Sequence, residues 1–163
     1  IGDHEMHAEL VSVTRATLQR LLEATGHIIA VGTTSVRTLE SLYHLGAYLK
    51  DYPETPFESL HVSQWQPYES PTELSPEEAL QSLLDYLDSH EETTLVFPTR
   101  IIIAPSYRYR MIRGMVTNFH QPHSTLLLLI AALLGEAWHE VYDYALTHDF
   151  RFLSYGDSSL LLP

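Results

Sequence analysis

The chain has 163 residues, 45% of them hydrophobic and 18% charged, with nine Lys plus Arg against 21 Asp plus Glu. That length supplies one domain's worth of buried surface, and a formal charge of −12 argues against indiscriminate attachment to nucleic acid or anionic membranes, which needs a broad cationic face. With no cysteine there is no disulfide, thiolate nucleophile or sulfur-ligated metal, so His and carboxylate remain as the strong ligands.

Ile1 stands first without a basic stretch or long apolar segment behind it, which reads as an excised piece rather than a signal peptide. From there, apolar residues at helical spacing (Val13, Leu18, Leu21, Leu22) predict a helix over 11–25, with Gly26 as its stop. Residues 27–31 read as a buried strand, and Gly32 to Ser35 as a tight turn into a second helix reaching Tyr48. Four prolines predict loop over 51–74, with one extended piece at 61–66. Ser75, Pro76 and Glu78 announce a capped helix to about residue 89, its inner face Ala79, Leu80, Leu83, Leu84 and Leu87. Residues 93–97, 100–104 and 107–118 are predicted strands. Ser124 caps an apolar helix that ends near Gly135 and reads as buried, because residues 126–134 give only about half of the ~20 residues a bilayer span needs. A helix over 137–148 and a strand, turn and strand over 150–162 complete an α/β chain, layered helix/sheet/helix around a mixed, largely parallel sheet.

The charge is unevenly placed. Residues 51–92 hold eleven acids and no Lys or Arg, whereas 93–135 hold no acid and four arginines, Arg100, Arg108, Arg110 and Arg113. The acidic stretch reads as a solvated surface insertion. Within the basic one, strand alternation in Tyr107, Arg108, Tyr109 and Arg110 sets both tyrosines on one face and both arginines on the other. That pattern serves base stacking and phosphate bridging, or equally an ordinary amphipathic strand.

Four stretches carry chemistry. His4, His7 and Glu9 offer imidazoles three apart and a carboxylate, suited to a metal or a general base, although terminal exposure is the plainer reading. Val31-Gly32-Thr33-Thr34-Ser35-Val36-Arg37 places free N–H groups and hydroxyls at a helix start, where anionic oxygens bind. Simple capping by Thr33 or Thr34 competes with that reading, and Arg37 and Glu40 in the next turn favour a site. Thr117-Asn118-Phe119-His120, with Ser124 and Thr125, lies between a strand end and a helix, the usual crevice of open α/β sheets. Tyr155, Gly156 and Asp157 form a turn in which Asp157 is a candidate acid or ribose-binding group.

Taken in order, His4-x-Met6-His7-x-Glu9, the run from Val31 to Ser41, Thr117-Asn118-Phe119-His120-x-Pro122-x-Ser124-Thr125-Leu126 and Arg151-Phe152-x-Ser154-Tyr155-Gly156-Asp157 resemble the S-adenosylmethionine:tRNA ribosyltransferase-isomerases of queuosine biosynthesis. The resemblance covers about residues 1–41 and 99–162. It implies that residues 1–163 are the carboxy-terminal part of a catalytic α/β domain with an acidic insertion at about 51–92, the family's amino-terminal half and small β-barrel lying outside it. It further implies transfer and isomerisation of the ribosyl part of S-adenosylmethionine onto 7-aminomethyl-7-deazaguanine in tRNA, giving epoxyqueuosine. The enzyme is then cytoplasmic and monomeric, away from membranes, with S-adenosylmethionine as co-substrate and no metal.

On that reading His7 is the catalytic base with Glu9 or His4 assisting, and His120 or Asn118 protonates adenine or reads a base edge. Gly32, Thr33, Thr34, Ser35, Arg37, Glu40, Thr117, Asn118, Phe119, Ser124, Thr125, Tyr155 and Asp157 contact substrate, and Tyr107, Arg108, Tyr109 and Arg110 contact RNA. The competing readings are a related transferase with another acceptor, a metal hydrolase built on His4, His7, Glu9 and His120, and a non-catalytic RNA-binding module.

Overall fold

In the computed structural model, which describes residues 5–163, the first element is a strand rather than the start of a helix. Glu9–Thr14 (β1) pairs antiparallel with Thr94–Thr99 (β3), setting buried Val11 opposite Phe97 and buried Val13 opposite Leu95. Two β-branched residues alternating with polar ones suit a half-buried pleat better than a helix. The helix begins only at Arg15 (α1, Arg15–Glu23), where Thr14 caps it by accepting the N–H of Thr17 on its hydroxyl.

Ile29–Val31 (β2) leads through Gly32 into Thr33–Asp51 (α2), nineteen residues long, and Gln66–Glu69 (α3) is a single turn. Pro76–Ser89 (α4) starts with the expected capping box, Ser75 and Glu78 each satisfying the other's backbone N–H. Ala79, Leu80, Leu83, Leu84 and Leu87 are all essentially inaccessible in the main core, among residues of α1, α2 and β3. The acidic stretch is therefore not a solvated appendage: its leucines build the core and its acids face water, the partition an amphipathic helix makes. Arg15 reaches across from α1 to hold Asp88 at 2.6 Å.

The second sheet has the order β2-β4-β5, with Gly114–Asn118 (β4) parallel to β2 and antiparallel to Ser158–Leu161 (β5). The class is α/β and the sheet mixed. A largely parallel sheet is not what is seen, since of the three described pairings one is parallel and two are antiparallel. The outer face of this sheet carries Ile29, Val31, Leu160 and Leu162, all exposed, so the second helical layer expected over it is not found among the described residues.

Residues 100–104 and 107–113, expected as strands, form none, and the second segment bends at Arg110, Met111 and Arg113. Val62 makes the one bridge to Thr99, and the N–H groups of Arg100 and Ile102 bond to the carbonyls of Val62 and Gln64, so the extended piece expected near residue 61 exists here as a partner. Residues 150–157 are turn and loop, with strand only from Ser158. Thr125–Leu134 (α5) is capped by Ser124 as expected but is not a buried helix: only Leu129 and Ile130 are buried, and its other residues are half-exposed. By length and composition Thr125–Thr147 is apolar enough to be a candidate membrane span, with 22% of its qualifying 18-residue stretch buried. Gly135, at φ 57°, and the 3-10 turn after it divide that run into α5 and Trp138–Thr147 (α6), ten residues each, half of what a span needs.

Candidate active site

The parallel pair β2 and β4 ends where a site is expected. A cavity of about 410 Å³ is lined by the Gly32 to Ser35 turn, by Thr117 and Asn118 at the end of β4 and His120 after it, and by Leu126, Leu153, Ser154 and Ser158. Three stretches distant in sequence meet there because β4 pairs with both β2 and β5, placing their ends side by side.

Gly32 is the helix cap, at φ 87°, a conformation that glycine adopts without strain, and no side chain caps α2. Capping by Thr33 or Thr34 is thus excluded, and the first-turn N–H groups and the positive end of a long helix are left for a ligand. His120 Nε2 lies 2.9 Å from the Thr117 hydroxyl, and its backbone N–H donates to Tyr142. Burial lowers the His120 pKa, which favours the neutral ring. The Asn118 amide donates to the Asp157 carbonyl and the Ser158 hydroxyl, tying the end of β4 to the start of β5. Leu153 stands in the left-handed region at φ 73°, held by bonds from its N–H to Phe119 and from Gly156 to its carbonyl. Backbone strain of this kind collects at functional sites, but Leu153 and Ser158 escape sequence reading because nothing in their residue types signals it.

Other expected site residues are elsewhere. His4 lies outside the described residues. His7 is exposed and lines no part of this cavity, and Glu9 is spent on Arg37 at 2.7 Å. Arg37 is buried, its Nε bonded to the Ile101 carbonyl and its Nη2 buried without a partner among the described residues.

Glu40 is not a substrate ligand. It is fully buried and accepts from the Tyr107 hydroxyl at 2.7 Å and from the N–H groups of Arg110, Met111 and Ile112 at 2.9–3.3 Å. Burial pushes its pKa up, and these four donors offset part of that rise. Phe119 is a core ring against Tyr142, Phe150 and Phe152, and Ser124 is occupied as the α5 cap. Thr125 sits half-buried in the first turn of α5, outside the lining. Asp157 closes its own turn on the N–H and guanidinium of Arg151, while Tyr155 is fully exposed beside it.

The tyrosines of the Arg/Tyr stripe are not open for base stacking. Tyr107 is buried with its hydroxyl on Glu40, Tyr109 donates to the Leu129 carbonyl, and burial raises the pKa of both. Arg110 turns inward over the Tyr43 ring to the Thr72 carbonyl and Glu73, leaving Arg108 exposed near the same acid. The alternation holds for Tyr107 and Arg108, core against surface, and fails at Arg110, which turns inward.

One consequence of this buried network is measurable. His44 donates from Nε2 to Tyr107, whose own proton goes to Glu40, and burial, with Arg110 nearby, lowers its pKa from 6.5 to about 4. Between those values the unfolded chain binds more protons than the folded one. The stabilisation from a neutral His44 is therefore complete above about pH 6.5 and is lost as pH falls toward 4, about 3 kcal/mol in all. Urea unfolding across that window is expected to show this slope in the parent and a much flatter one in His44→Gln; equal slopes would contradict the assignment.

With this geometry established, the comparisons with known proteins are specific. A family model described as queuosine biosynthesis protein matches residues 1–161. An S-adenosylmethionine:tRNA ribosyltransferase-isomerase of Cereibacter sphaeroides is 35% identical over 100% of this chain and 36% of its own length, and one of Novosphingobium aromaticivorans is 37% identical over 99% and 36%. The chain thus spans about a third of the curated relatives it matches. Among solved structures, the S-adenosylmethionine tRNA ribosyltransferase of Thermotoga maritima superposes with a TM-score of 0.58 at 28% identity, covering 94% of this chain and 40% of that one. A family match across both flanks of the cavity and through the acidic stretch between them places the chain in the queuosine biosynthesis protein family.

Proposed function

We propose that this chain is the carboxy-terminal part of the catalytic α/β domain of a cytoplasmic enzyme that transfers and isomerises the ribosyl moiety of S-adenosylmethionine onto 7-aminomethyl-7-deazaguanine in tRNA, giving epoxyqueuosine. The observation that carries this reading is the cavity in which the uncapped α2 start faces Asn118 and His120. The first-turn N–H groups and the Thr33 and Thr34 hydroxyls suit the carboxylate and ribose oxygens of S-adenosylmethionine. The sulfonium acidifies the adjacent ribose C5′ hydrogens, the tRNA amine is the nucleophile, and departing adenine needs a proton. Among the described residues, His120 is the titratable group that lines the cavity, so we assign it proton transfer, with Asn118 fixing the nucleoside.

The metal-hydrolase alternative finds no support among the described residues, where no three His, Asp or Glu stand close enough to share an ion. The test uses the protein at the length of its curated relatives, with S-adenosylmethionine and precursor tRNA, and follows adenine release and epoxyqueuosine by mass spectrometry. His120→Ala is expected to lower kcat about 100-fold or more, in the range for a general acid or base. Release near the parent rate in that variant, together with its loss in His7→Ala, would return the role to His7 and Glu9. Adenine release that no precursor tRNA stimulates would point to a different acceptor.

A further inference from the structure

A second cavity, about 560 Å³, lies between the carboxy-terminal half of α2 and the 61–72 segment. At a rise of 1.5 Å per residue, His44 lies roughly 16 Å along α2 from Thr33, so this is a separate place from the site above. Tyr48 and Tyr52, both substantially exposed, put their rings 4.8 Å apart at its rim, with Asp51 beside them. His44, 6% exposed, lines its floor. Because its Nε2–H donates to Tyr107, its Nδ1 carries the lone pair, and that atom has no partner among the described residues. At the rim, His61 commits Nδ1 to the Ser59 carbonyl, which leaves Nε2 to a ligand. The lining contains a carboxylate and no Lys or Arg.

We propose that this cavity binds a small organic cation, an ammonium or guanidinium compound, through the Asp51 carboxylate, the face of the Tyr48–Tyr52 pair and the free Nδ1 of His44. Asp51 and the aromatic face supply the attraction for a cation, and His44, held neutral by burial and by the positive charge of Arg110 behind it, serves as a hydrogen-bond acceptor only. A bare metal ion lacks the three clustered ligands it needs among the described residues. A nucleotide would bring its phosphate against the acidic 51–92 surface, which holds eleven acids and no Lys or Arg.

The reading is independent of the transferase assignment, and its test uses neither tRNA nor S-adenosylmethionine. Calorimetric titration of the protein at the length of its curated relatives with agmatine, which carries a guanidinium and an amine, is expected to saturate at one site with Kd of about 1 mM or tighter. Asp51→Asn with Tyr52→Leu, both at the exposed end of α2, is expected to weaken binding about tenfold with an unchanged circular dichroism spectrum. Asp85→Asn, which removes the same charge from another cavity, leaves binding unchanged. Absence of saturation, equal weakening by Asp85→Asn, or equally tight binding of uridine monophosphate would each overturn the proposal.

Discussion

Glu40→Ala is expected to unfold at far lower urea than the parent, losing about 4 kcal/mol or more. The side chain is inaccessible, and its two oxygens serve four donors, the Tyr107 hydroxyl and three successive backbone N–H groups. Truncation leaves each donor without a partner in a place water does not reach, at about 1–3 kcal/mol apiece, against a whole-domain stability of roughly 5–15 kcal/mol. The Glu40→Gln variant keeps one acceptor oxygen and aims an amide NH₂ at the remaining donors, so an intermediate loss of about 2 kcal/mol is expected. An alanine variant within about 1 kcal/mol of the parent would show that the loop over 107–112 is fixed by other contacts.

Gly46→Ala is the second large effect, and it runs against helix propensity. A Cβ at Gly46 would sit 2.2 Å from the Ala79 carbonyl oxygen and 2.7 Å from its carbon, on the backbone of α4, which has no rotamer to yield. Alanine favours the helix by about 1 kcal/mol, but forcing α2 and α4 apart loosens the leucines packed around them, at about 3 kcal/mol or more. A fall of about 2 kcal/mol or more in urea-unfolding free energy is expected, with the helical signal unchanged in whatever folds. A gain in stability would mean that the two helices slide apart freely.

Much of this architecture is legible in the residues. The Ser75–Glu78 box, the Ser124 cap and the leucine spacing of α4 are local signals, and the structure realises each of them. Meeting of the Gly32 turn with the Asn118 and His120 loop is likewise foreseeable, because both sit at the ends of strands in an α/β order. The errors come from interactions between segments. Val13 satisfies a helical pattern with Leu18, Leu21 and Leu22 until β3 supplies a partner strand. Glu40 reads as a ligand beside Arg37 because no local pattern shows that residues 107–112 will fold over it. The alternation of Tyr107 with Arg108 gives the two faces correctly, while which face meets solvent depends on α2.

The backbone ladders are divided between two sheets with unlike surroundings. Around β1 and β3, α1, α2 and α4 close the core, whereas β2, β4 and β5 leave one side bare and adjoin helices that are half-exposed. Hydrogen-bonded amide protons in the first group are expected to exchange with solvent deuterium through larger openings than those in the second. The chemistry proposed for the end of β4 is thus mounted on the more yielding half of the molecule, next to a stiff one that keeps its place.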